Sequence, residues 1–103
     1  MIRHCVFVNF KASVDDAERS AIFAQLADLK HTLSGVLAAD FGPNISPEGL
    51  GKGLTHGFVM DFLDAAARDA YLVAPAHQAA GARLVAALEG GIDGLIVFDL
   101  AVA

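Results

Sequence analysis

The stretch Leu54-Thr55-His56-Gly57-Phe58-Val59-Met60-Asp61-Phe62-Leu63 reads as one strand with apolar residues on both of its sides. His56, Phe58, Met60 and Phe62 fall on one side; Thr55, Gly57, Val59, Asp61 and Leu63 fall on the other. An antiparallel sheet with one wet face alternates apolar and polar residues, and this strand does not. Both of its faces therefore need a cover.

The strand predicted over residues 2–11 repeats the pattern. One side carries Ile2, His4, Val6, Val8 and Phe10; the other carries Arg3, Cys5, Phe7, Asn9 and Lys11. Ser13 is placed to cap a helix, with Asp15 and Asp16 near its positive start. Ile22, Leu26, Leu29 and Leu33 then recur at helical spacing, and Gly35 suits the left-handed end. Val36 to about Asn44 is a weaker strand. Residues 42–53 are a Gly- and Pro-punctuated loop, long enough to bind something or to be a plain hairpin connection. Asp64 caps a short alanine-rich helix through Tyr71. Pro75 interrupts it and opens a second helix to Leu88, which Gly90-Gly91 stops. The last strand runs over residues 92–102, with Leu95 and Val97 opposite Ile96 and Phe98.

The order is β-α-β-β-α-β, a single α+β domain over residues 1–103 with the ferredoxin-like arrangement. Right-handed crossovers place the helices on one face of a four-stranded antiparallel sheet. A second copy of the same sheet is the simplest cover for the other face, since most oligomers are symmetric homodimers. Two sheets packed in this way form a dimeric α+β barrel.

Composition agrees with a second buried surface. The chain is 55% hydrophobic and 18% charged over 103 residues, while a domain this size buries only about 65% of its unfolded surface. The net charge of −5 with scattered basic residues argues against nucleic acid. The lone Cys5 supplies neither an internal disulfide nor a structural zinc site, and a reducing cytoplasm is the expected compartment. The first ten residues lack a signal peptide's pattern, and no apolar run is long enough to span a membrane. No histidine pair has helical ligand spacing, and no glycine-rich turn joins a strand to a helix as a phosphate cradle would. The expectation is no metal, no cofactor, no nucleic acid and no membrane.

The candidate chemistry lies at Tyr71-Leu-Val-Ala-Pro75-Ala-His77. His77, Gly81, Leu84 and Leu88 share the apolar face of the second helix, so an imidazole points inward near a phenol. Such an imidazole is either a satisfied core residue or a base that works near neutral pH. The phenol is either packing or a donor to a developing enolate.

The runs Gly53-Leu-Thr55-His56-Gly57-Phe58-Val59, Ala67-Arg68-Asp69-Ala70-Tyr71-Leu, Pro75-Ala-His77 and Val97-Phe98-Asp99 resemble the Dabb family, the stress-responsive A/B-barrel domain. The opening Ile2 to Lys11 is similar to its first strand, and the likeness covers essentially the whole chain. It implies a dimeric barrel and leaves activity open, since most members have no established function. One plant member cyclises a polyketide with a histidine and a tyrosine that fall on His77 and Tyr71. By the same resemblance His4, His56, Phe23 and Phe58 line a pocket between helices and sheet, suited to a small apolar or aromatic ligand. The family's His-Pro-x-His has Ala74 in its first position here. Two functions are therefore expected side by side: a homodimeric ligand-binding barrel, and a cofactor-free lyase, cyclase or isomerase with His77 as base and Tyr71 as donor.

Overall fold

The computed structural model describes all 103 residues. The elements run β1 (Ile2–Val8), α1 (Asp16–Ala27), α2 (Leu29–Thr32), β2 (Val36–Pro43), β3 (His56–Phe62), α3 (Ala65–Val73), α4 (Pro75–Ala86), a 3₁₀ turn (Gly91–Gly94) and β4 (Leu95–Ala101). The sheet order is β2-β3-β1-β4, and each neighbouring pair is antiparallel. This is the ferredoxin-like fold.

The helices cover one face of the sheet. Val6, Val8, Phe58, Met60 and Phe62 point beneath them and meet Ile22, Leu26, Tyr71, Leu84 and Leu88. The other face carries Arg3, Cys5, Phe7, Gly57, Val59, Asp61, Ile96, Phe98 and Leu100. On it Phe7 is 40%, Ile96 49% and Phe98 56% exposed. The two-faced strands of the sequence are thus covered on one side only within the chain. No helix is long and apolar enough to cross a membrane.

Several boundaries differ from the sequence reading. Asp15, not Ser13, caps α1: its carboxylate accepts from the Glu18 amide at 2.8 Å. A turn closed by Val14 N–H on the Lys11 carbonyl delays the helix past Ser13. The first helix also breaks at Asp28, a residue that competes poorly in helix interiors, so Leu29 falls in the one-turn α2. Leu26 and Leu29 stay buried across the break. β1 ends at Val8, and Phe10 makes only an isolated bridge to Leu88. A 3₁₀ turn opens the last segment, entered through left-handed Gly90 and Gly91.

Gly35 is a glycine for a different reason from the expected left-handed cap. Its φ is not positive. Instead α3 crosses so close that a Cβ at Gly35 would sit 2.2 Å from the Ala67 Cβ. We expect Gly35→Ala to push α3 off β2 and cost about 1–3 kcal/mol, the usual range for overpacking. Urea midpoints of the two proteins at equal concentration check this; equal midpoints would show that α3 moves freely.

Candidate functional site

Pro75 organises the candidate site locally. It sits at the first position of α4 and has no N–H to give back to α3. The last carbonyls of α3 are left to find other donors. Ala74 N–H takes the Tyr71 carbonyl at 3.2 Å. His77 Nδ1 lies 3.3 Å from the Leu72 carbonyl. A carbonyl only accepts, so Nδ1 carries the proton and Nε2 of the neutral ring is left as the basic nitrogen. Burial pushes the His77 pKa down, against the raising effect of the Leu72 hydrogen bond, and nearby His4 lowers it further. The ring is held in its neutral form.

Tyr71 is 1% exposed and packs face-tilted on His77, with ring centroids 4.1 Å apart. Its hydroxyl is buried and has no hydrogen-bond partner in the chain. Burial raises the phenol's pKa, so it stays protonated and can donate. A buried polar group without a partner is rare and calls for an explanation.

His4 approaches from the sheet. Its ring centroid is 5.9 Å from that of Tyr71, and Nδ1–H donates to Asp99 Oδ1 at 2.6 Å. The second Asp99 oxygen accepts from Arg68 Nη1 at 3.0 Å. Burial acts to raise the Asp99 pKa, but the hydrogen bonds from His4 and Arg68 and their charges outweigh it and hold it below the usual carboxylate value. The result is a chain of contacts, Arg68–Asp99–His4, ending beside Tyr71.

The structure therefore brings His77, Tyr71 and His4 together and leaves His56 apart. His56 Nδ1 lies 2.9 Å from Thr55 Oγ1, and its ring packs on Phe10 and Phe23 at centroid distances of 5.2 and 6.2 Å. Desolvation, then the charge of Arg19, lowers its pKa. Phe58 links the two groups, 6.4 Å from His4 and 6.2 Å from Phe23. Tyr71 is buried, its ring against those of Phe62, His4 and His77. Of the four residues expected to line a pocket, His56 and Phe58 border an open recess of about 510 Å³ under the 44–54 loop, and His4 and Phe23 do not.

Asp99 and Arg68 were not legible as site residues. Asp99 reads as the charge that ends an apolar run, and Arg68 as a solvated helix face. The β1–β4 register sets His4 opposite Asp99, and α3 brings Arg68 to the same carboxylate. No three His, Cys, Asp or Glu side chains cluster as a metal ion would need.

Two outcomes follow from this geometry. Tyr71→Phe removes a buried donor that nothing in the chain satisfies, so it should stabilise the fold by about 1 kcal/mol. Urea unfolding at matched protein concentration reads it; a destabilised variant would mean the hydroxyl has a partner in the fold. The histidines set the pH response. His56 and His77 both have folded pKa values below 6.5, so the unfolded chain binds more protons in that range. Stability should therefore fall as pH drops from above 6.5 toward the depressed values and be fully present above 6.5. His77→Leu should flatten part of that slope, and an unchanged slope would count against a neutral half-buried imidazole.

Compared with known proteins, the chain matches the stress responsive A/B barrel domain over residues 2–102. It is similar to a dimeric ferredoxin-like protein of unknown function from Jannaschia sp. CCS1, with 36% identity over 98% of each chain and a TM-score of 0.91. A Dabb family protein with a ferredoxin-like fold from Mesorhizobium loti shares 29% identity over 99% of this chain and 96% of its own, with a TM-score of 0.71. The hydroxynitrile lyase of Passiflora edulis shares the fold at 19% identity, a TM-score of 0.87 and coverage of 99% and 93%. No protein of curated function matches the chain. With the domain spanning nearly its whole length, the chain belongs to the Dabb family of stress-responsive A/B-barrel domains.

Proposed function

We propose that this protein is a homodimeric small-molecule-binding barrel whose ligand is a small apolar or aromatic compound with an oxygen acceptor. The observation that carries the reading is the Tyr71 hydroxyl, buried and without a partner in the chain. A ligand carbonyl that accepted from it would satisfy the donor. The surroundings suit an apolar body for that ligand: Phe58, Phe62 and the rings of His4 and His77. Admission requires α3 and α4 to part at the Pro75 break, where Val73 is 70% exposed and the backbone is extended at Ala74. The dimer is supported by the exposed apolar face of the sheet and by the Jannaschia relative, which is described as dimeric.

A second reading rests on the His77 tautomer. A neutral imidazole with Nδ1–H fixed on Leu72 presents Nε2 as a base, and Tyr71 beside it can donate to the enolate that forms. That pair suits cofactor-independent proton abstraction next to a carbonyl, as a lyase, cyclase or isomerase uses. The Passiflora protein of the same fold is a lyase. The likeness to the Passiflora protein is one of fold alone, so the lyase reading stands second.

One experiment separates the readings. Acetophenone is added to the wild-type protein, Tyr71→Phe and His77→Leu in D₂O, and followed by proton NMR. Binding without turnover appears as saturation transfer to the aromatic protons, lost in Tyr71→Phe, with methyl deuteration no faster than in buffer. Methyl deuteration that depends on His77 would replace the binding reading with the catalytic one. Signals equal in wild type and Tyr71→Phe would overturn both.

A further inference from the structure

Helix α4 carries one residue that local structure does not explain. Of the ten glycines in the chain, four sit at positive φ and four would bring a Cβ within 3 Å of another atom. Gly42 and Gly81 have neither reason. Gly42 is in β2, at the edge of the sheet. Gly81 is in the middle of α4, where glycine costs backbone entropy that alanine does not. Its neighbours Ala79, Ala80 and Ala82 show that the helix accepts a methyl group on either side. Beyond the helix backbone, a Cβ at Gly81 would approach one atom, His77 Nε2, at 4.0 Å. The space left by the missing side chain is therefore the space beside that nitrogen.

Nε2 is free to use it. Nδ1 of His77 is taken by the Leu72 carbonyl, and Nε2 makes no hydrogen bond in the chain. The Tyr71 hydroxyl is the one buried side-chain polar atom without a partner, so the unpartnered Nε2 is not enclosed as that hydroxyl is. His77 is half-buried, and Tyr71, stacked on it, is buried. A group that approaches from solvent meets Nε2 before it meets the phenol. A hydrogen-bonded oxygen or nitrogen stands about 2.9 Å from its acceptor, and a methyl group 4.0 Å from Nε2 would crowd that position.

We propose that Gly81 is the access residue of the Tyr71–His77 site: its missing side chain leaves His77 Nε2 open to an O–H or N–H donor of the ligand. The ligand part rests on the small-molecule-binding reading; the opening itself does not. The ligand class narrows accordingly. Tyr71 calls for an acceptor oxygen and Nε2 for a donor, so the compound carries both on its apolar body. A site that offers both groups discriminates against compounds that match only one.

Acylation by diethyl pyrocarbonate tests the opening without any ligand. The reagent attacks neutral imidazole, the form that burial favours for His77. Cleavage after Lys and Arg puts His4, His31, His56 and His77 on four separate peptides, so each rate is read by mass spectrometry. Gly81→Ala should raise the urea midpoint, because its methyl group clashes with nothing. It should also slow His77 acylation several-fold, while the exposed His31 reacts as in wild type. Gly81→Val should slow His77 further; if it fails to fold, Gly81→Ala decides alone. A lowered midpoint for Gly81→Ala would mean that the glycine serves the fold. Unchanged His77 rates would mean that Nε2 is not approached past Gly81. Either result overturns the proposal. Phenacyl alcohol, with a hydroxyl beside its carbonyl, should protect wild-type His77 from the reagent better than its methyl ether, which has no donor. Equal protection overturns the donor assignment alone. No protection by either, with the Gly81 effects intact, overturns the small-molecule reading and leaves the opening standing.

Discussion

The strands of this sheet carry large apolar residues on both sides, and the chain has helices for only one. Most other features follow from that constraint. The helix-covered side buries Val6, Val8, Phe58, Met60 and Phe62 and supplies the stability of the monomer. The other side leaves Phe7, Ile96, Phe98 and Leu100 in water at 40–56% exposure. Burying a large apolar side chain fully is worth about 1.5–3 kcal/mol. For half-exposed residues the remaining gain is about 1 kcal/mol each, or about 8 kcal/mol for four from each of two copies. Association itself costs about 4–15 kcal/mol. These side chains alone therefore sit near balance, and a proposed dimer of this kind needs well-filled contacts as well as apolar area.

The site on the opposite side is built from two interruptions. Pro75 breaks the helix run, and the break frees the Leu72 carbonyl that orients His77. Asp99 interrupts the apolar run of β4 and is matched by His4 across the ladder and by Arg68 from α3. Neither interruption improves local secondary structure. A proline costs hydrogen bonds in a helix, and a charge in a half-buried strand must be paired. What the fold gains is one imidazole in a fixed tautomer, another tied to a carboxylate, and a phenol held between them.

The sequence carried the architecture well because the fold depends on patterns of period 2 and 3.6. Those patterns survive small errors of boundary. The helix read as continuous to Leu33 breaks at Asp28, yet Leu26 and Leu29 remain on the buried face, since three and four residue steps both return there. Ser13 and Asp15 differ by two residues, and only the closing turn at Lys11 decides between them. The site was legible in part. His77 and Tyr71 are near in sequence and helical phase joins them. His4 and Asp99 are brought together by register, which no single strand reveals, and Arg68 by the packing of α3 on the sheet. His56 shows the converse: it shares a sheet side with Phe58 and Met60, but four residues along β3 carry it toward the loop end and a separate aromatic group.

One strand, β1, carries residues of both sides of the sheet. β1 lies between β3 and β4 and alternates residue by residue: Arg3 and Cys5 face the open side, and His4 faces the core between them. Arg3 is anchored across the ladder to Asp61 at 2.9 Å, while His4 is anchored the other way to Asp99 at 2.6 Å. A cover over the open side would press on Phe7, Arg3 and β4, the same backbone that sets the distance from His4 to Asp99. It would add no atom to the site. It would restrict the twist of β4 against β1, and with it the reach of Asp99 to both His4 and Arg68. A dimer of the kind proposed would therefore matter to a site that lies entirely within one protomer, because the strand between them has no second layer of its own to hold it still.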